Sequence, residues 1–108
     1  MALANPDCSS TFSGTNCTVN DIYYILYTIK SSVTNISWLF AEVVNPNILF
    51  GFEPNKHMFN KCSNVTNINW IFRTLLKNEN SIKISSYKES HQGLFTPLEN
   101  LEKFEGVF

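Results

Sequence analysis

Four side chains of this 108-residue chain could together form a Cys3His zinc site: Cys8, Cys17, His57 and Cys62. A structural zinc takes four such ligands in a tetrahedron, usually from tight pairs two to four residues apart. Eight residues separate Cys8 from Cys17, and four separate His57 from Cys62. That spacing is loose, and neither a metal nor another cofactor is expected. A Cys8–Cys17 disulfide is the other use of the N-terminal pair. The odd cysteine count and the intracellular reading below favour free thiols. Cys62 with His57 five residues upstream, or Ser90 beside Glu89 and His91, sets a nucleophile near a base. Neither pair is flanked by a Gly-rich turn or an oxyanion-hole signature. The sequence is therefore read as non-enzymatic, with no small-molecule substrate evident.

Binding chemistry is better represented. Trp70, Arg73 and Lys77 fall on one face of a helical pattern, with Lys56 and Lys61 upstream, a set suited to stacking bases and holding phosphates. The net charge of −1 gives no long-range attraction to nucleic acid. A nucleic-acid-binding regulator using Trp70, Arg73 and Lys77 is thus the alternative, and contact with another protein is the leading expectation. The residues expected to make that contact are Tyr24, Tyr27, Trp38, Trp70 and Arg73.

These side chains sit in a recurring phrase: Val19-Asn-Asp-Ile-Tyr-Tyr-Ile-Leu26, Val33-Thr-Asn-Ile-Ser-Trp-Leu-Phe40 and Val65-Thr-Asn-Ile-Asn-Trp-Ile-Phe72. The copies start 14 and 32 residues apart. Without a fixed period over three copies, a repeat array is excluded at this level of reading. The alternating steps of four and three through Ile22, Leu26, Ile29, Val33, Ile36, Phe40 and Val43 predict one long heptad-patterned helix over about 19–44. Thr18 and Asp21 supply its capping box. Pro46 stops it.

A second helix is predicted over about 65–77, a short C-terminal helix over about 97–105 from Thr96-Pro97-Leu98-Glu99, and a short β-hairpin over about 82–95. Leu98, Leu101 and Phe104 face inward in this reading, and Gly106 closes the last helix. The fold class expected is mainly α, a small helical domain. Residues 1–17, rich in turn formers, read as an irregular N-terminal arm, and 18–108 as a single helical domain. A homodimer through the long helix follows from its apolar seam.

At 44 % hydrophobic with nine Phe, the chain has enough apolar surface for one core. Seven Lys against one Arg and fourteen Asn point to an AT-rich genome, such as that of a virus, phage or protist parasite. The polar first 18 residues do not read as a secretory signal, and Lys30 with its polar neighbours rules out a membrane span over 22–44. The functional expectation is an intracellular, cytoplasmic interaction or assembly protein: a viral or phage accessory subunit or dimer.

Overall fold

The structure is a computed structural model that describes residues 2–45, 57–73 and 95–107. Its organising feature is a ladder of parallel bridges that joins Asp7 to Asn35, Asn35 to Asn67 and Asn67 to Lys103. Among the described residues the chain passes the same place four times, at intervals of 28, 32 and 36 residues. We call these passes rungs: the first at 7–14, the second at 35–42, the third at 67–73 and the fourth at 103–107.

Successive rungs are hydrogen-bonded in one register. Cys8 and Ser10 donate to the carbonyls of Asn35 and Ser37, both at 2.9 Å. Ile36 and Trp38 donate to Asn67 and Asn69 at 3.0 and 2.9 Å, and Ile68 and Trp70 donate to Lys103 and Glu105 at 2.8 Å. In the opposite sense, Asn35 donates to Pro6, Asn67 to Thr34 and Lys103 to Thr66. This is the bond pattern of a parallel sheet applied to segments that also turn on themselves. Thr11 donates back to Cys8, Leu39 to Ile36 and Ile71 to Ile68. Each such turn places its third residue at positive φ: Ser10 at 59°, Trp38 at 59° and Trp70 at 56°. Gly106 holds the equivalent position in the fourth rung at 66°. A turn that needs positive φ at this place ordinarily recruits glycine.

Local side chains start the turns. The Asp7, Asn35 and Asn67 side chains each accept from the backbone N–H two residues on, all at 2.9 Å. Such Asx turns compete with helix. Lys103 has no acceptor to offer. In its rung the Asn69 side chain reaches across from the third rung and accepts from Glu105 N–H at 2.7 Å.

One helix occurs among the described residues: α1, Val19–Tyr27. The capping box forms as expected, with the Thr18 hydroxyl accepting from Asp21 N–H at 3.0 Å and the Asp21 carboxylate accepting from Thr18 N–H at 2.9 Å. The mainly helical fold is otherwise overturned. The helix expected over 19–44 ends at Tyr27, because Ser31, Ser32, Val33 and Thr34 are weak helix formers and the Asn35 turn takes over. The helix expected over 65–77 is the third rung up to Arg73, and 74–77 lie outside the described residues. The helix expected over 97–105 is a set of turns entering the fourth rung. The hairpin expected over 82–95 lies outside the described residues except for Phe95. Residues 7–14, read as part of an arm, form the first rung.

The inward residues of the heptad seam nevertheless all point inward. Ile22, Leu26, Ile29, Val33, Ile36, Phe40 and Val43 are buried, as are Val65, Ile68, Ile71 and Phe72. A rung built of tight turns spaces its buried residues by three and four, as a helix does. Through the core runs a column of phenylalanines from one position of three successive rungs. Phe12 stacks on Phe40 at 6.2 Å between centroids, and Phe40 on Phe72 at 6.3 Å. Each such pair contributes roughly 0.5–1.5 kcal/mol beyond the area it buries. Between the second and third rungs, a turn at 57–62 turns Met58 and Phe59 fully inward.

Candidate functional site

On the outer edge of the ladder, register puts Trp38 and Trp70 side by side. Their rings stack at 5.8 Å between centroids and 30° between planes. Both are half-buried. The Arg73 guanidinium lies 5.3 Å from the Trp38 ring centroid and 5.8 Å from that of Trp70. Its Nε is 3.7 Å from a carboxylate oxygen of Glu42. Glu42 follows Ala41, the second-rung equivalent of Arg73, and its N–H donates to the Arg73 carbonyl at 2.7 Å. Side-chain exposures of 47 % and 57 % mean that water screens this ion pair. Such a pair adds little stability, about 0–1 kcal/mol, and its charges stay available to a ligand. On the far side of Trp70 lies Gly106: a Cβ there would come within 2.3 Å of the indole. Gly106 therefore provides both the positive φ of its rung and a flat floor for the ring.

The result is an aromatic shelf two indoles long, with a cation across its rings and an anion at its rim. Three of the five expected contact residues, Trp38, Trp70 and Arg73, come together here. The other two do not join them. Tyr24 is 61 % exposed on α1, and Tyr27 stacks on Tyr23 at 6.2 Å. The third member of the nucleic-acid set, Lys77, lies outside the described residues. Reading the sequence missed Glu42, read as part of a helix, and Gly106, read as a helix stop. The signal that finds them is the alignment of Asp7, Asn35, Asn67 and Lys103.

Of the thiol and histidine candidates, Glu89, Ser90 and His91 lie outside the described residues. No group of three or more His, Cys, Asp or Glu side chains gathers in metal-binding geometry among the described residues. All three cysteines are free and buried. Burial pushes the Cys62 thiol up to about 12, so at neutral pH it is a protonated core residue and not a nucleophile. Cys8 is also raised by burial. Its neighbour Asp7 is held below the usual carboxylate range by hydrogen bonds from the Ser9 hydroxyl and N–H. No helix among the described residues is long and apolar enough to cross a membrane.

No family model, curated protein or solved structure matches this chain. The functional reading therefore rests on the geometry of the shelf.

Proposed function

We propose that this chain is a non-enzymatic protein-recognition module whose contact face is the Trp38–Trp70 shelf with Arg73 and Glu42. One observation carries the reading: both middle rungs place tryptophan at positive φ, where serine and glycine stand at the two ends. A bulky residue in that conformation costs on the order of 1–3 kcal/mol. The strain is incurred twice and yields a pair of half-exposed indoles, the side chains most enriched, with arginine, among the residues that dominate protein interfaces.

A partner of matching chemistry has an aromatic or proline ring to lie on the indoles and a carboxylate to displace Glu42 from Arg73. The proposed setting is intracellular and cytoplasmic, since three free thiols suit a reducing compartment. The viral or phage origin and accessory-subunit role read from codon bias remain part of the proposal. Self-association through a long helix is not, because α1 is nine residues long. The nucleic-acid alternative draws less support, because the single arginine of its set already shares its charge with Glu42.

The test is affinity capture with the immobilised chain, with bound proteins identified by mass spectrometry. A specific partner retained by the natural chain should be lost by Arg73→Glu and Trp70→Ala, with folding checked by circular dichroism. Retention unchanged by Arg73→Glu rejects the shelf as the contact face. Binding to oligonucleotides that steepens as salt falls, and that vanishes in an Arg73→Ala/Lys77→Ala double variant, would select the alternative instead.

A further inference from the structure

The ladder has two unlike ends. At the fourth rung, Phe104 and Gly106 N–H and the Glu102 carbonyl occupy the places that bond to a following rung everywhere else. None of them has a partner among the described residues. At the first rung the complementary groups stand open: the carbonyls of Asp7 and Ser9, and the Asp7 N–H. Phe104 occupies the position filled by Cys8, Ile36 and Ile68. Those three are at most 5 % exposed, and Phe104 is 64 % exposed. At the bridge position itself the chain reads Asp7, Asn35, Asn67, Lys103, with opposite charges at the ends and neutral amides between.

We propose that a second copy of this chain docks head to tail, its first rung lying on the fourth rung of the copy before it. The register is the one already used three times within the chain. Phe104 N–H donates to the partner copy's Asp7 carbonyl, Gly106 N–H donates to its Ser9 carbonyl, and its Asp7 N–H donates to the Glu102 carbonyl. Lys103 then neighbours the carboxylate of Asp7, and Phe104 is covered by the first rung. Pro6 stands where Thr34 and Thr66 donate a second N–H to the preceding rung, so this joint has one donor fewer than those inside the molecule. Two fourth rungs cannot pair in this register, because donors would face donors. The contact is therefore heterologous, and each docked copy presents a fresh edge, so the product is an open stack and not a closed dimer. This surface meets the tryptophan shelf only through Gly106, whose N–H points to the open edge, and the proposal does not rest on that reading.

Sedimentation velocity over a wide concentration range provides the test. The expected result is a weight-average mass that climbs above the 12.4 kDa of one chain without levelling at twice that value. Phe104→Asp should raise the concentration needed for assembly by roughly tenfold or more, as expected for losing a buried aromatic side chain. Lys103→Asp should weaken assembly by a few-fold, the scale of an exposed ion pair. The Asp7→Lys/Lys103→Asp double variant, which restores opposite charges at every joint, should recover it. Arg73→Glu should leave assembly unchanged. A mass that stays at one chain throughout overturns the proposal. So does assembly that survives Phe104→Asp, or a charge-swapped double variant no better than Lys103→Asp alone.

Discussion

Ile68 and Phe104 hold the same position on successive rungs, yet Ile68 is fully buried and Phe104 is 64 % exposed. The backbone is the same in both places, a turn whose third residue has positive φ, Trp70 at 56° in one and Gly106 at 66° in the other. Burial in this molecule is thus not a property of the turn or of the residue type. It comes from what covers the position, which for Ile68 is a rung on each side. The first rung shows the other solution to being last in line: Asp7, Ser9, Ser10, Thr11 and Ser13 give it a polar outer surface, while Cys8 stays covered. Stacked architectures depend on such polar caps at their ends. Among the described residues one end has a cap and the other does not.

Breaking that comparison starts with matched aspartates. Ile68→Asp buries a carboxylate with no partner and should abolish cooperative folding, whereas Phe104→Asp should leave the melting curve nearly unmoved in thermal circular dichroism. Equal shifts would mean that Phe104 is covered within the monomer. The phenylalanine column offers the next contrast. Phe40→Ala, between two rings, should cost about 3–5 kcal/mol in urea titration. Phe12→Ala, at the half-buried end of the column, should cost visibly less.

At the turn position, Gly106→Ala combines a forbidden Cβ with a clash against Trp70. It should cost about 1–3 kcal/mol and shift the tryptophan emission. Ser10→Gly at the equivalent place should be neutral or stabilise by up to ~1 kcal/mol. Asn69→Ala removes the acceptor that replaces the missing one in the fourth rung and should cost about 1 kcal/mol.

The smallest effect at neutral pH comes from Cys62. In the unfolded chain its thiol loses its proton near 9, and in the folded chain it holds it to about 12. Across that window the unfolded state binds fewer protons, so stability should fall as pH rises from about 9 towards 12 and be indifferent to this group below 9. A Cys62→Ala variant, followed by urea midpoints, should show a flatter decline.

Most of the core was legible in the sequence and the architecture was not; Phe104, read as facing inward, is 64 % exposed because no rung follows it among the described residues. The three-and-four spacing from Ile22 to Val43 correctly names buried residues, because a rung of tight turns and a helix both bring every third or fourth residue inward. Nothing in the apolar pattern separates the two. What separates them is polar: Asn35 and Asn67 at the third place of their phrases, each able to close an Asx turn, with a residue three further on that must accept positive φ. Trp38 and Trp70 concealed that requirement, since tryptophan gives no hint of a glycine-like backbone, and only Gly106 shows it openly. The phrase starting at Val19 imitated the repeat on a true helix, while the genuine first copy, Asp7 to Gly14, has Cys8 where the others have isoleucine and Ser10 where they have tryptophan. Alignment on Phe12, Phe40 and Phe72 would have revealed intervals of 28 and 32 residues and an array that the apolar spacings excluded.

The site was half legible. Trp38, Trp70 and Arg73 stood out as residue types, but as members of separate helices they had no reason to meet. Only the ladder register brings a residue at 38 beside one at 70.

Two indoles held 5.8 Å apart on adjacent rungs also form an excitonically coupled chromophore. Its optical signature depends on the distance and angle between the rings, and each ring is fixed to a different rung. The molecule thus carries an internal optical gauge. A couplet in the circular dichroism of the tryptophan bands should report sliding between the second and third rungs while the ladder on either side stays intact.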